Sequence, residues 1–467
     1  MNLQPYFALG NMVRYLGFLG ISFLFGCSDT ESNSQPQLIR KIQIPDKFLI
    51  EGPEEIVYGG DIRVGDLTGN GKVDFLVYRS EDDAHDGGGM KPCFLGAFDI
   101  DGNILWQQGE GGLQPSRPGP VAIHDIDGDG ETEVICFFLK PEVLCPPTSM
   151  RNVVLQIRNG KTGIIEKETA PEALLACEGK GANWVHQRLL ICKLRDTDSP
   201  RDFIVKLGKT VLAFDQNLEL LWSYSNPWDE YGNCPAYIPS IGDIDGDGKD
   251  EVNGGYFLLD DDGSILWEEQ LGRNMDSVTI APWDDGKMRA FGSGFGHVLD
   301  AEGNVLLKLG EELVPHGQEL RVAHFDASVP GPQMAIRYEG HNPSVMIVDV
   351  SGKVIRRFEL NDSPNHTGME AIYWTGPNNP ALLYNGGVLW NGDGTMYAEL
   401  PNLPLPQGTK RRGWHPCVPA DLHSDAGEEI IVYNPWDSFV FIYGQYPFSA
   451  WKNYEARPRQ YNVRLMD

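Results

Sequence analysis

The chain has 467 residues and sets 38 Lys and Arg against 66 Asp and Glu, a formal charge of −28. Length alone admits either two or three ordinary domains or one large repeat fold. So acidic a chain excludes a bare phosphate backbone as partner, because nothing offsets the repulsion, and no nucleic-acid role is expected.

The first stretch, MVRYLGFLGISFLFGC, carries one Arg followed by an apolar run too short to span a bilayer, which reads as an export signal. Gly26 before Cys27 resembles a bacterial lipobox, although Phe25 is bulkier than usual there. The expectation is a lipoprotein-type signal peptide over 1–27, a polar tether over 28–45 and one domain over 46–467. The protein would then be exported to the bacterial cell envelope, at the outer membrane or cell surface, and touch membrane only through lipid on Cys27. Seven further cysteines, at 93, 136, 145, 177, 192, 234 and 417, form no CxxC and no zinc-type spacing. In an oxidising compartment they predict one or two disulfides, with the remaining thiols buried.

Beyond the tether the apolar runs are short, β-rich and punctuated by Gly, Asp, Asn and Pro, with no long helical period. Two features alternate. The first is an acidic loop between two apolar strands: DLTGNGKVD from Asp66, DIDGDGETE from Asp125, DIDGDGKDE from Asp243 and DLHSDAGEE from Asp421. Degraded copies begin at Lys193 and His324 and lie near Trp283 and Tyr373, which makes eight. The second is a hairpin with an Asp-Gly or Asn-Gly type turn, often ending in Trp, as in FDIDGNILW to Trp106 and LDDDGSILW to Trp267. One loop plus one hairpin is four strands, and the period is about fifty residues, the size of a propeller blade. The predicted fold is an all-β, calcium-stapled β-propeller with eight blades, seven being the alternative. A two-sheet sandwich would not explain the fixed alternation. Either KIQIPDKFLI, from Lys41, or the tail RPRQYNVRL, from Arg457, is expected to close the ring.

In the two best loops, positions 1, 3, 5 and 9 are carboxylates and position 6 is Gly, a hard-oxygen set that suits Ca2+. The predicted ligands are Asp125, Asp127, Asp129 and Glu133, then Asp243, Asp245, Asp247 and Glu251. Weaker sets are Asp66, Asn70 and Asp74, and Asp421, Asp425 and Glu429. An EF-hand is excluded, because position 12 is Cys136 in one loop and Gly254 in the other, inside strand-forming runs. The pattern is similar to FG-GAP-type calcium loops, whose ion fastens one strand to the next without touching substrate.

Chemistry is expected where the innermost strands of all blades converge. His186, His316, His366 and His415 each lie six to eight residues ahead of a loop. Around them stand Arg117, Trp184, Asn233, Tyr237, Asn274, Gln318, Arg412 and Trp414, a polar and aromatic set suited to a carbohydrate.

From about Gly59 onward, the loop and hairpin alternation, and above all HGQELRVAHFDASVPGPQMAIRYEGH from His316, resembles the propeller of the rhamnogalacturonan lyases of polysaccharide lyase family 11. The resemblance implies an eight-bladed ring with calcium and a polysaccharide or oligosaccharide partner, and we expect a monomer. It departs in two respects: the β-domain that usually precedes the propeller has no counterpart here, and Gln318 stands where the family tends to have Asp. Another uronate-containing glycan, such as ulvan, is therefore also admitted. A lyase must offset the uronate charge, remove the proton beside the carboxylate and protonate the leaving oxygen. Calcium with Arg117 or Arg412 would do the first, His316 or else His366 the second, and Tyr237 or His415 the third. The rival readings are a non-catalytic glycan-binding or surface-scaffold propeller, and a glycoside hydrolase in which Glu319 and Asp276 would face each other.

Overall fold

The computed structural model describes residues 35–52, 55–81, 91–113, 119–145, 149–180, 188–360, 368–405 and 415–463. They form eight four-stranded antiparallel sheets arranged as an eight-bladed β-propeller. The innermost strands, in blade order, are Asp61–Gly65, Val121–His124, Arg188–Cys192, Ser240–Gly242, Val278–Pro282, Glu319–Ala323, Glu370–Ile372 and Cys417–Ala420. Seven blades use four consecutive strands. Blade 8 takes its outermost strand, Gln37–Gln43, from the start of the chain, with Gln37 opposite Gly444 and Gln43 opposite Phe439.

Of the two segments expected to close the ring, the N-terminal one does so, and earlier than predicted. QLIRKIQ, all of which lies inside the expected tether of 28–45, is a ring strand. The tail instead crosses the face that carries the acidic loops and ends in a short helix, Pro458–Tyr461, which enters the axis from that side. Gln460 Nε2 donates to the Pro419 carbonyl at 2.5 Å. The Asn462 side chain pairs with both the N–H and C=O of Ile191, each at 2.7 Å.

Burial explains the strand sequences. A blade packs on neighbours through both faces, so middle strands such as DFLVYRS, Asp74–Ser80, and EVICFFL, Glu133–Leu139, are buried at every position. Among the described residues there are eight apolar clusters, one in each gap between adjacent blades. The hairpin motif supplies a further inter-blade contact. Trp106 of blade 1 donates its indole N–H to the Gly160 carbonyl of blade 2 at 2.6 Å, and Trp222 of blade 3 donates to the Asp261 carbonyl of blade 4 at 2.8 Å. The hairpin glycines Gly163 and Gly263 lie against those rings at positive φ, where a Cβ would come within 2.5 and 2.7 Å of an indole carbon. The aromatic of one blade and the glycine of the next are thus one device.

The disulfide expectation fails: all seven of the cysteines from Cys93 to Cys417 are free thiols, five of them buried. The five buried ones are apolar fillers between blades, and burial raises the pKa of Cys136 to about 11.

Candidate active site

Each innermost strand starts at one mouth of the ring and ends in its acidic loop at the opposite face. The segments leading into blades 4, 5 and 6 bring four predicted residues together at the first mouth, around Asp276. The Asp276 carboxylate is 2% exposed. Its Oδ2 accepts from Gln318 Nε2 at 2.9 Å and lies 3.0 Å from His316 Nε2; its Oδ1 accepts from Asn274 Nδ2 at 2.9 Å. Asn274 Nδ2 also donates to the Tyr237 hydroxyl at 3.3 Å. Asn233 lies in the short turn Tyr231–Asn233, whose Gly232 carbonyl accepts from the Asn274 backbone N–H at 3.1 Å. The His316 side chain is 28% exposed, so this imidazole is oriented from below by a buried carboxylate and open to solvent above. A carboxylate holding one ring nitrogen of a solvent-facing histidine is the arrangement that fixes a general base.

His415 leads into blade 8 from the same side but differs in state. It is 3% exposed, and burial depresses its pKa to about 4, so near pH 7 the ring is neutral and is not the imidazolium that a histidine general acid would be. His186, Trp184, Arg117, His366, Arg412 and Trp414 lie outside the described residues. Glu319 does not face Asp276 as a hydrolase partner would. It is buried and paired with Arg337 Nη1 at 2.9 Å, and it accepts the Met369 N–H at 3.2 Å.

Farther down the axis, a cavity of about 280 Å3 lies between the strands of blades 3 to 7 and the tail helix. It contains none of the residues around Asp276. Its walls are largely apolar, and its charges are matched to one another: Glu370 takes Arg321 at 3.4 Å and Arg459 at 3.1 Å, while Arg459 also takes Glu428 at 2.8 Å. These pairs fasten the tail, so the candidate site is the mouth and not this cavity.

Five of the loops share one rule. The acid or amide at the loop's end accepts a backbone N–H from its beginning: Glu133 from Ile126 at 2.9 Å, Glu251 from Ile244 at 2.7 Å, Asp202 from Leu194 at 3.1 Å, Gln333 from Phe325 at 2.6 Å and Glu429 from Leu422 at 2.7 Å. What differs is the third loop position, which faces that end group. In blade 1 it is Thr68, whose hydroxyl donates to Asp74 at 2.9 Å. In blade 3 it is Arg195, which places Nε at 2.9 Å and Nη2 at 2.6 Å on Asp202 Oδ1. In blade 8 it is His423, with Nδ1 at 3.2 Å from Glu429 Oε1.

In blades 2 and 4 the third position is itself acidic. Asp125, Asp127 and Glu133 gather oxygen atoms within 4.8 Å of one another, as do Asp243, Asp245 and Glu251. Burial with nearby like charge raises the pKa of Glu133 and Glu251 to about 8 in the absence of a cation. A hard divalent ion fits both clusters, which could hold a metal ion. Asp129 and Asp247 turn a carboxylate oxygen to the backbone N–H of Glu131 and Lys249, at 2.8 Å each.

The weaker predicted sets look different. Asp66 accepts the Asn70 and Gly71 N–H groups at 3.0 and 2.7 Å and Asn70 caps Lys72 at 2.8 Å, much as in the blade 2 and 4 loops, but Thr68 stands where those loops carry a third carboxylate. Asp421 pairs with Lys452 and with Arg457, both from the tail, and Asp425 accepts from Gly427 N–H at 3.1 Å. Side-chain cations there occupy the role that sequence reasoning gave to calcium. The missed residues had a signal: Arg195 and His423 are basic where the loops of blades 2 and 4 carry Asp.

The fold and this mouth define an eight-bladed propeller with acidic-loop staples and an oriented histidine. No family model matches the chain. The chain is similar to rhamnogalacturonan exolyase YesX of Bacillus subtilis, 27% identical over 48% of this chain and 42% of the relative. It is similar too to the endolyase YesW of the same organism, 24% identical over 49% of this chain and 42% of the relative. The matches thus span less than half the length of these relatives. The crystal structure of YesW superposes with a TM-score of 0.66 at 19% identity, covering 86% of this chain and 75% of that one. The biofilm matrix protein Bap1 of V. cholerae reaches 0.58 at 15% identity, over 91% and 94%. The expected resemblance to rhamnogalacturonan lyases is supported by both sequence and fold.

Proposed function

We propose that the protein is an exported polysaccharide lyase that cleaves a uronate-containing glycan, rhamnogalacturonan or a relative of it, by β-elimination. The observation that carries this is His316, held by the buried Asp276 at the open mouth of a ring that resembles the rhamnogalacturonan lyases. In this reading His316 takes the proton beside the uronate carboxylate, Asp276 fixes its ring and Gln318 and Asn274 hold Asp276 in place. Tyr237, in the same hydrogen-bond chain, is the acid. Asp125, Asp127 and Glu133 in blade 2 and Asp243, Asp245 and Glu251 in blade 4 would hold calcium, which would supply the charge that keeps those loops closed. Those loops lie on the face opposite His316, so the ion acts on the scaffold; charge offset at the uronate falls to other groups, Arg117 and Arg412 being the candidates. Export, with lipid on Cys27 and 28–36 as tether, belongs to the same reading.

The burial of Asp276, Gln318, Asn274 and Tyr237 favours a second reading, a non-catalytic glycan-binding or scaffold propeller. Incubation with rhamnogalacturonan and with ulvan, with and without a chelator, separates the readings. A lyase generates the ultraviolet absorbance of an unsaturated uronate, a hydrolase gives reducing ends without it, and a binder gives neither.

A further inference from the structure

We propose that the segment 446–451 is a membrane-facing platform, and that the ring sits on the bilayer through its acidic-loop face with the His316 mouth pointing away. Tyr446, Phe448 and Trp451 are 56%, 42% and 42% exposed. Among the described residues, the other large apolar side chains this exposed are aliphatic. The three aromatics form a row. Tyr446 and Phe448 meet edge to face at 5.9 Å, and Phe448 and Trp451 flank the buried His423 ring at 6.5 and 4.3 Å.

The row is held in place. The Ala450 carbonyl accepts from Ser424 N–H at 3.0 Å, Ser449 Oγ donates to Asp425 at 3.0 Å, and His423 and Trp451 form a β-bridge. Rigid, exposed, amphipathic rings are costly in water and suited to a lipid headgroup boundary.

The choice of occupant rests on where the chain outside the ring arrives. Gln37 pairs with Gly444, two residues before Tyr446, and strand polarity puts this end of blade 8 on the acidic-loop face. Residues 28–36 can reach about 30 Å when extended. A lipid on Cys27 would therefore hold the aromatic row beside the bilayer, and this step rests on the anchor reading given above. The same geometry turns the opposite mouth outward, toward a polymer.

A chain starting at Ser28 contains every described strand and helix and lacks the apolar leader, so its binding to lipid reports the platform alone. It should float with phosphatidylcholine vesicles. The triple variant Tyr446→Ser, Phe448→Ser, Trp451→Ser should lose about tenfold or more of that binding, and Phe448→Ser alone should lose part of it. An unchanged melting curve establishes that the variants are folded. Failure of the parent to float, or a triple variant that binds as well, overturns the proposal. So does loss in the triple variant of retention on a rhamnogalacturonan gel, which would make the row a glycan platform, or of self-association, which would make it a contact between copies. Turnover at the far mouth is a separate readout, so a failed platform and a failed lyase reading are distinguishable.

Discussion

Replacing Arg195 by Met in blade 3 removes the cation that this blade builds from its own chain. Asp202 is fully buried, and its Oδ1 accepts both guanidinium bonds, at 2.9 and 2.6 Å; after the change it keeps the Leu194 N–H at 3.1 Å on the other oxygen. Breaking a buried ion pair from one side costs about 3–5 kcal/mol. The Arg195 side chain is 38% exposed, so water can enter where it stood, and the cost falls to about 2–3 kcal/mol. Urea unfolding followed by far-ultraviolet circular dichroism should show that loss. Adding Asp202→Asn to Arg195→Met should recover part of it, because the stranded charge is gone. Chelator sensitivity should be the same in Arg195→Met as in the parent, since the metal-type loops lie in other blades. A loss below about 0.5 kcal/mol would refute the view that a loop ending in a buried acid needs a donor or cation facing it.

Calcium titration by calorimetry should find two sites, and at a free ion concentration 100 times the dissociation constant each should add about 2.7 kcal/mol, lost on chelation. Asp127→Arg, which copies the blade 3 solution into blade 2, should leave one site. Burial lowers the pKa of His415 and of His297 to about 4, so between there and the unfolded value of 6.5 the unfolded chain binds more protons than the native one. Their contribution is therefore complete above pH 6.5 and lost as pH falls toward 4, by about 3 kcal/mol for each at most. His415→Asn, which also suits the positive φ of 47° there, should flatten stability against pH in that window, as measured by urea midpoints. Asp276→Asn keeps the shape of the hub but forces an amide N–H toward a donor, and turnover should fall by about 100-fold with substrate affinity changed less.

The ring was legible in the sequence because its two signals are local. An Asp-rich turn and a Gly-Trp hairpin each declare themselves within ten residues, and their alternation counts the blades. The closing strand was harder, since QLIRKIQ is half polar and becomes a strand only against Phe439–Gly444, about four hundred residues away. The choice between the two candidate closing segments was open for a similar reason: RPRQY is a strand or a helix until Glu370 and Glu428 claim Arg459. At the mouth, spacing to the loops located His316, Gln318, Asn274 and Tyr237. It could not tell that Asp276 is the group all but Tyr237 hold directly, nor that His415 is sealed. Counting positions from each loop finds equivalent backbone sites, whereas exposure depends on what packs above them.

The most direct test of the lyase mouth is the initial rate of unsaturated-uronate formation from rhamnogalacturonan by the parent and by His316→Ala. The account predicts a steady rise for the parent and a rate at least about 100-fold lower for the variant, with both proteins equally folded. A parent that produces no unsaturated product, or a His316→Ala that matches it, would contradict the account.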